Sequence, residues 1–135
     1  MSKSQEYIDQ NISKFEEELF DLLRIPSVST DSSKKPAIKE AANFLLKQFE
    51  SFDLERVELF ETPGNPIVYA EHCPHDDKPT VLVYGHYDVQ PSDPDELWDS
   101  PAFEPVVKDG NVYARGASDD KGQSYTHVKA IKSFR

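Results

Sequence analysis

Cysteine is almost absent. Cys73 is the only one in 135 residues, so no intrachain disulfide can close and no thiolate cluster can hold a metal, which fits a reducing compartment. Long apolar runs are missing as well. Nothing approaches the roughly 18 consecutive apolar residues of a membrane span, and the first residues lead into an amphipathic pattern, so the expectation is a soluble, cytoplasmic protein without a membrane partner. Positive charge is in short supply, with 15 Lys and Arg against 25 Asp and Glu and a formal net charge of −10. Such a surface repels a phosphate backbone, and no basic stripe offsets it, which excludes nucleic acid as a partner. Glycine is scarce too. Of five glycines, Gly85, Gly110, Gly116 and Gly122 fall in the stretch that also holds His86, Asp88, Asp119 and Asp120, where backbone freedom serves a crowded site.

What is present suffices for one compact unit: 37% hydrophobic and 11% aromatic residues build a modest core at this length. Ile8, Ile12, Phe15, Leu19, Leu22 and Leu23 recur at steps of three and four, predicting an amphipathic helix that ends before Pro26, with Glu16, Glu17 and Glu18 on its wet face. Ile38, Ala41, Ala42, Leu45, Leu46 and Phe49 predict a second helix over about residues 36–52. The period then changes. Strands are expected at about 54–60 and 67–71, either side of the turn residues Thr62, Pro63, Gly64, Asn65 and Pro66. The apolar β-branched run Thr80, Val81, Leu82, Val83, Tyr84 reads as a strand covered on both faces at the centre of a sheet. Asp109-Gly110 between residues 106–108 and 111–113 predicts a tight hairpin. Residues 122–134 read as a last helix with Val128, Ile131 and Phe134 on one side.

His86 follows the apolar run at its C-terminal end, the edge where open α/β sheets place their ligand crevice. In an extended segment residues two apart share a side, so His86 and Asp88 can face one cavity, where a carboxylate beside a metal-binding imidazole fixes its tautomer. Taken alone, a His-x-Asp reads first as a plain hydrogen bond at a strand end. Asp119 and Asp120 precede a helix and can simply cap it. One carboxylate can instead bridge two cations, with His86 on one of them. Nothing local decides between these. His72 and His75 beside Cys73, and His127 on the last helix, read as surface side chains, and Trp98 and Phe103 as loop packing.

The order of the whole stretch is more specific. Val81-Leu82-Val83-Tyr84-Gly85-His86-Tyr87-Asp88-Val89-Gln90-Pro91 is followed by Trp98, by Pro101-Ala102-Phe103, and by Tyr113-Ala114-Arg115-Gly116-Ala117-Ser118-Asp119-Asp120-Lys121-Gly122. This resembles the dinuclear zinc metallopeptidase family of aminoacylase, acetylornithine deacetylase, succinyl-diaminopimelate desuccinylase, glutamate carboxypeptidase and the cytosolic dipeptidases. It is most similar to the carnosinase-like, non-specific dipeptidase branch. Leu22-Leu23-Arg24-Ile25-Pro26-Ser27-Val28-Ser29 also looks like that family. The resemblance implies that His86 binds one metal, that Asp119 bridges two, and that Asp88, counted with the catalytic residues, supports His86. It also implies a cis peptide at Asp119-Asp120 and two divalent ions, zinc first and manganese or cobalt otherwise. Ala114 departs from the glycine usual there. The implied fold class is α/β, an incomplete zinc-peptidase catalytic domain with two N-terminal helices and then a mixed β-sheet with flanking helices.

The implied activity is metal-dependent hydrolysis of dipeptides or short peptides. Deacylation of N-acyl amino acids is the alternative within the family, and a non-catalytic binding module the alternative outside it. Residues 1–135 would form the N-terminal part of the catalytic domain. The glutamate general base, the remaining metal ligands and a lid domain that often makes the protein a homodimer would lie beyond Arg135. The chain by itself is therefore expected to be inactive, since one histidine and one bridging carboxylate fall short of the three protein ligands of catalytic zinc.

Overall fold

A computed structural model describes residues 2–134. Helix α1 spans Lys3–Arg24; the Ser2 hydroxyl accepts the Gln5 N–H at its start, and Ile25 turns extended ahead of Pro26. A single 3-10 turn, Ser32–Lys34, leads into α2, Lys35–Glu50, with Pro36 in the first turn where its missing N–H costs nothing. Strands β1, Arg56–Phe60, and β2, Ile67–Glu71, pair antiparallel from Arg56 opposite Glu71 to Phe60 opposite Ile67. A second 3-10 turn, Asp95–Leu97, precedes β3, Val106–Lys108, and β4, Asn111–Tyr113, and helix α3 covers Lys121–Ser133. Among the described residues no helix is long and apolar enough to cross a membrane.

The two helical stripes and the last helix meet in one core. Leu22, Ile25, Ala37, Ala41, Phe52, Tyr125 and Val128 cluster there, all buried, with Leu19, Phe44, Phe49, Tyr87 and Ile131 packed around them. A charged pair is sealed into it. Lys129 of α3 meets Glu18 of α1 at 2.5 Å and Gln48 of α2 at 2.6 Å, with its ammonium 4.7 Å from the Tyr125 ring centroid. Glu18 thus leaves the wet face predicted for it, while Glu16 and Glu17 stay exposed. Burial pushes Glu18 up but is outweighed by the Lys129 hydrogen bond and charge and by the Tyr125 hydroxyl, so its carboxyl lies below the usual value.

The α/β class is borne out, and so are the first four predicted helices and strands and the hairpin. At the hairpin Asp109 and Gly110 take φ of 51° and 78°, the pair of positive values a two-residue type I′ turn demands. The single mixed sheet is not formed. The described strands make two separate antiparallel pairs, and residues 80–84 form no strand and pair with none; Leu82 is 88% exposed and Tyr84 84%. The physical reason is that a doubly covered strand needs neighbours on both edges, whereas β1 with β2 and β3 with β4 are paired to each other. Phe134 also differs from expectation. It caps α3 after the last helical residue and is 80% exposed, while Val128 is buried.

Candidate metal centre

Two segments far apart in sequence build the site. After the exposed run, the chain settles at Gly85 against the start of α3. A Cβ there would stand 2.0 Å from Ser124 Oγ and 2.9 Å from Ser124 Cβ, so only glycine permits the approach. Beyond it, alternation sorts the side chains: Tyr87 and Val89 turn toward the core, while His86 and Asp88 keep part of their surface open. Tyr87 donates its hydroxyl to the Pro66 carbonyl at 2.5 Å, and burial first, then the charges of Asp88 and Glu61, push its pKa up to about 12.

His86 is held on both ring nitrogens. Nδ1 lies 3.1 Å from the Asp88 carboxylate and 3.1 Å from the Asp88 carbonyl, and Nε2 lies 3.1 Å from Asp119 Oδ1, across 33 residues of sequence. Burial works against the imidazolium. The hydrogen bond to the Asp88 carbonyl and the charges of Asp88, Asp120 and Asp119 outweigh it, so the His86 pKa is raised. Asp119 presents its side chain to solvent, 84% exposed, at the open end of this chain of contacts.

Asp120 does something other than cap the helix. Although it occupies the N-cap of α3, its carboxylate makes no capping bond to the helix backbone. Instead Oδ2 accepts the His86 backbone N–H at 3.1 Å and the Ser124 hydroxyl. Burial raises its pKa, but these two hydrogen bonds and the charges of His86 and His127 overcome that and lower it. The Asp119-Asp120 peptide is cis, as the family resemblance implies.

The donor set fits a divalent cation in kind. When Nδ1 carries the proton shared with Asp88, Nε2 is left with a free lone pair aimed at a carboxylate oxygen. Two ligands on one tetrahedral zinc stand roughly 3.3 Å apart, from ligand distances of about 2.0–2.1 Å, and the 3.1 Å between Nε2 and Oδ1 is close to that. It is a partial set. Among the described residues no three His, Cys, Asp or Glu side chains gather in a way that could hold a metal ion.

The loop histidines and the aromatics lie apart, whereas His127 is near enough for its charge to act on Asp120. His72, His75 and Cys73 are exposed, with His72 3.7 Å from Glu55, and His127 is exposed on α3. Trp98 is half-buried, donates to the Ser92 carbonyl at 2.9 Å and carries the Arg115 guanidinium 5.1 Å from its ring centroid. Two residues that support the site were missed by sequence reasoning, Ser27 and Lys121, both fully buried. The Ser27 hydroxyl donates to the Tyr87 carbonyl at 2.6 Å, and the Lys121 ammonium donates to the Leu22 and Ile25 carbonyls at 3.0 and 2.6 Å. Burial pushes the Lys121 pKa down to about 8, against the pull of Asp88 and Glu40. The only signal for them was their place in the two family-like motifs, since polarity alone predicts exposure.

The chain is similar to known proteins in sequence and in fold. Residues 82–135 match Peptidase family M20/M25/M40. The chain is 32% identical over 145 residues to the Cys-Gly metallodipeptidase dug1 of Schizosaccharomyces pombe, covering 100% of this chain and 30% of that protein. It is 31% identical over 129 residues to the Beta-Ala-His dipeptidase of Homo sapiens, covering 93% of this chain and 23% of that protein. The solved structure of the di-peptidase Dug1p from Saccharomyces cerevisiae superposes with a TM-score of 0.87 at 27% identity, over 98% of this chain and 30% of that one. The chain thus spans about a third or less of the length of these relatives. On the matched sequence, the relatives and the shared fold together, this chain belongs to Peptidase family M20/M25/M40.

Proposed function

We propose that the whole protein hydrolyses the peptide bond of dipeptides or short peptides with the help of two divalent ions, zinc in the first place, and that this chain supplies His86 and the bridging Asp119. The observation that carries the proposal is the convergence of His86 Nε2 and Asp119 Oδ1, 3.1 Å apart, while Nδ1 is engaged by Asp88. The relatives support the substrate class, since two that match over the whole chain are named as Cys-Gly metallodipeptidases.

In this reading each residue has a definite task. Asp88 holds the imidazole by Nδ1, which keeps the Nε2 lone pair directed at the site and raises its basicity. Asp120 fixes the backbone of His86 through its N–H and ties it to the first turn of α3. Asp119, exposed and unencumbered on its outer side, offers its second carboxylate oxygen to a further ion. When bound, divalent cations supply Lewis acidity toward a peptide carbonyl and toward water. The general base and further ligands such chemistry needs would come from outside these residues.

The test is metal content and dipeptide turnover of the whole protein, with Cys-Gly, β-Ala-His and N-acetyl amino acids as the substrate panel. Asp119→Ala is expected to lose bound metal and at least 10²-fold of turnover, because removing a shared ligand releases both ions. Wild-type-like metal content and turnover in Asp119→Ala would refute the bridging role. Faster turnover of the N-acetyl amino acids would move the substrate assignment to deacylation.

A further inference from the structure

We propose that the end of α1 with the turn that follows it, residues 22–28, is a clamp that sets the separation of the two halves of the metal centre, with Ser27 and Lys121 as its positioning residues. This rests on the reading of His86 and Asp119 as metal ligands. The turn grips the His86 segment at two points: the Ser27 hydroxyl donates to the Tyr87 carbonyl at 2.6 Å, and the Ser27 carbonyl accepts the Val89 N–H at 2.9 Å. Val28 and Val89 form a parallel bridge beside them. Because alternate residues of an extended chain face opposite ways, holding 87 and 89 leaves 86 and 88 directed away from the clamp.

The same turn grips the Asp119 segment. Lys121, two residues past Asp119, sends its ammonium to the Leu22 and Ile25 carbonyls at the C-terminal end of α1, where carbonyls lack helical donors and a cation is favoured. The turn is itself stiff, since the Ser27 N–H donates to the Ile25 carbonyl and the Val28 N–H to the Pro26 carbonyl, each at 2.8 Å. A buried path therefore runs from Tyr87 through Ser27 and Ile25 to Lys121, and Ser27 and Lys121 are both 0% exposed. Charge-assisted bonds in such surroundings tolerate little displacement. The 3.1 Å between Nε2 and Oδ1 is a consequence of that path as much as of the two ligands themselves.

The test is a Co²⁺ titration of the whole protein, read by visible absorption at a temperature where every variant is folded. Ser27→Ala and Lys121→Met are expected to weaken Co²⁺ at least tenfold and to change the position or intensity of its absorption bands. Phe15→Leu, in the core away from the clamp, should lower the melting temperature and leave affinity and spectrum as in the wild type. A wild-type affinity and spectrum in Ser27→Ala overturns the clamp, and if Lys121→Met does not fold, Ser27→Ala decides by itself. His86→Ala separates the two levels. If it keeps wild-type Co²⁺ binding, the ligand reading fails and the clamp with it; if it loses Co²⁺ while Ser27→Ala keeps it, only the clamp fails.

Discussion

Glu18→Gln gives the sharpest test of how the three helices are held. Lys129 is 7% exposed at the side chain and Glu18 21%, and the ammonium also touches Gln48 and the Phe15 ring at 5.0 Å. Removing one partner of a fully buried pair costs about 3–5 kcal/mol, because the other charge is stranded. Here Gln48 and the rings remain and Glu18 is partly solvated, so the expected loss at pH 7 is about 2 kcal/mol, or roughly 6 °C in melting temperature for a unit of this size. The pH dependence has a fixed sign. The folded pKa of Glu18 is lowered from 4.5, so its contribution is present above the unfolded value and is lost as pH falls through the folded one. Urea unfolding of wild type and Glu18→Gln should therefore differ at pH 7 and converge as pH drops below about 4.5. Lys129→Met should cost less than Glu18→Gln, since the charge it strands is the better solvated of the two. A gap independent of pH, or the opposite order of the two variants, would refute the account.

Three further outcomes follow from single positions. Gly85→Ala forces a Cβ to within 2.0 Å of Ser124 Oγ, and is expected to cost about 1–3 kcal/mol in a thermal melt and to weaken the proposed metal binding by moving His86 off Asp119. Gly110→Ala meets no atom within 4 Å, so only the positive φ of 78° is strained and the urea midpoint should report about 1 kcal/mol, with Gly110→Asn costing less. His75→Ala, on an exposed loop, should leave metal content and turnover of the whole protein unchanged, with stability within about 0.5 kcal/mol. A loss of metal there would mean that the loop histidines belong to the site.

The elements legible in the sequence are those whose causes are local. The stripe from Phe15 to Leu23, the break at Pro26 and the Asp109-Gly110 turn each carry their reason within a few residues, and each stands where predicted. Residues 80–84 carry an equally clear local signal and form no strand, because pairing is a property of two segments and the run says nothing about its neighbours. Glu18 and Lys129 illustrate the same limit from the polar side. Charge patterning puts both in water, and only the meeting of α1 with α3 explains why Lys129 is buried and Glu18 half-buried.

The proposed metal centre combines both kinds of information. Asp88 beside His86 is a matter of strand alternation and could be argued from the spacing of two residues. The meeting of His86 with Asp119 could not, since each segment has an ordinary explanation of its own, as a strand end and as a helix cap. What removes the capping explanation is Asp120, whose carboxylate takes the His86 backbone N–H and the Ser124 hydroxyl and makes no capping bond to the backbone of its own helix. A carboxylate serving only α3 would have no reason to reach a segment 34 residues earlier. With Asp120 occupied in that way, Asp119 is left exposed with one oxygen beside an imidazole nitrogen and the other free, which is what the proposed bridging of two cations would use.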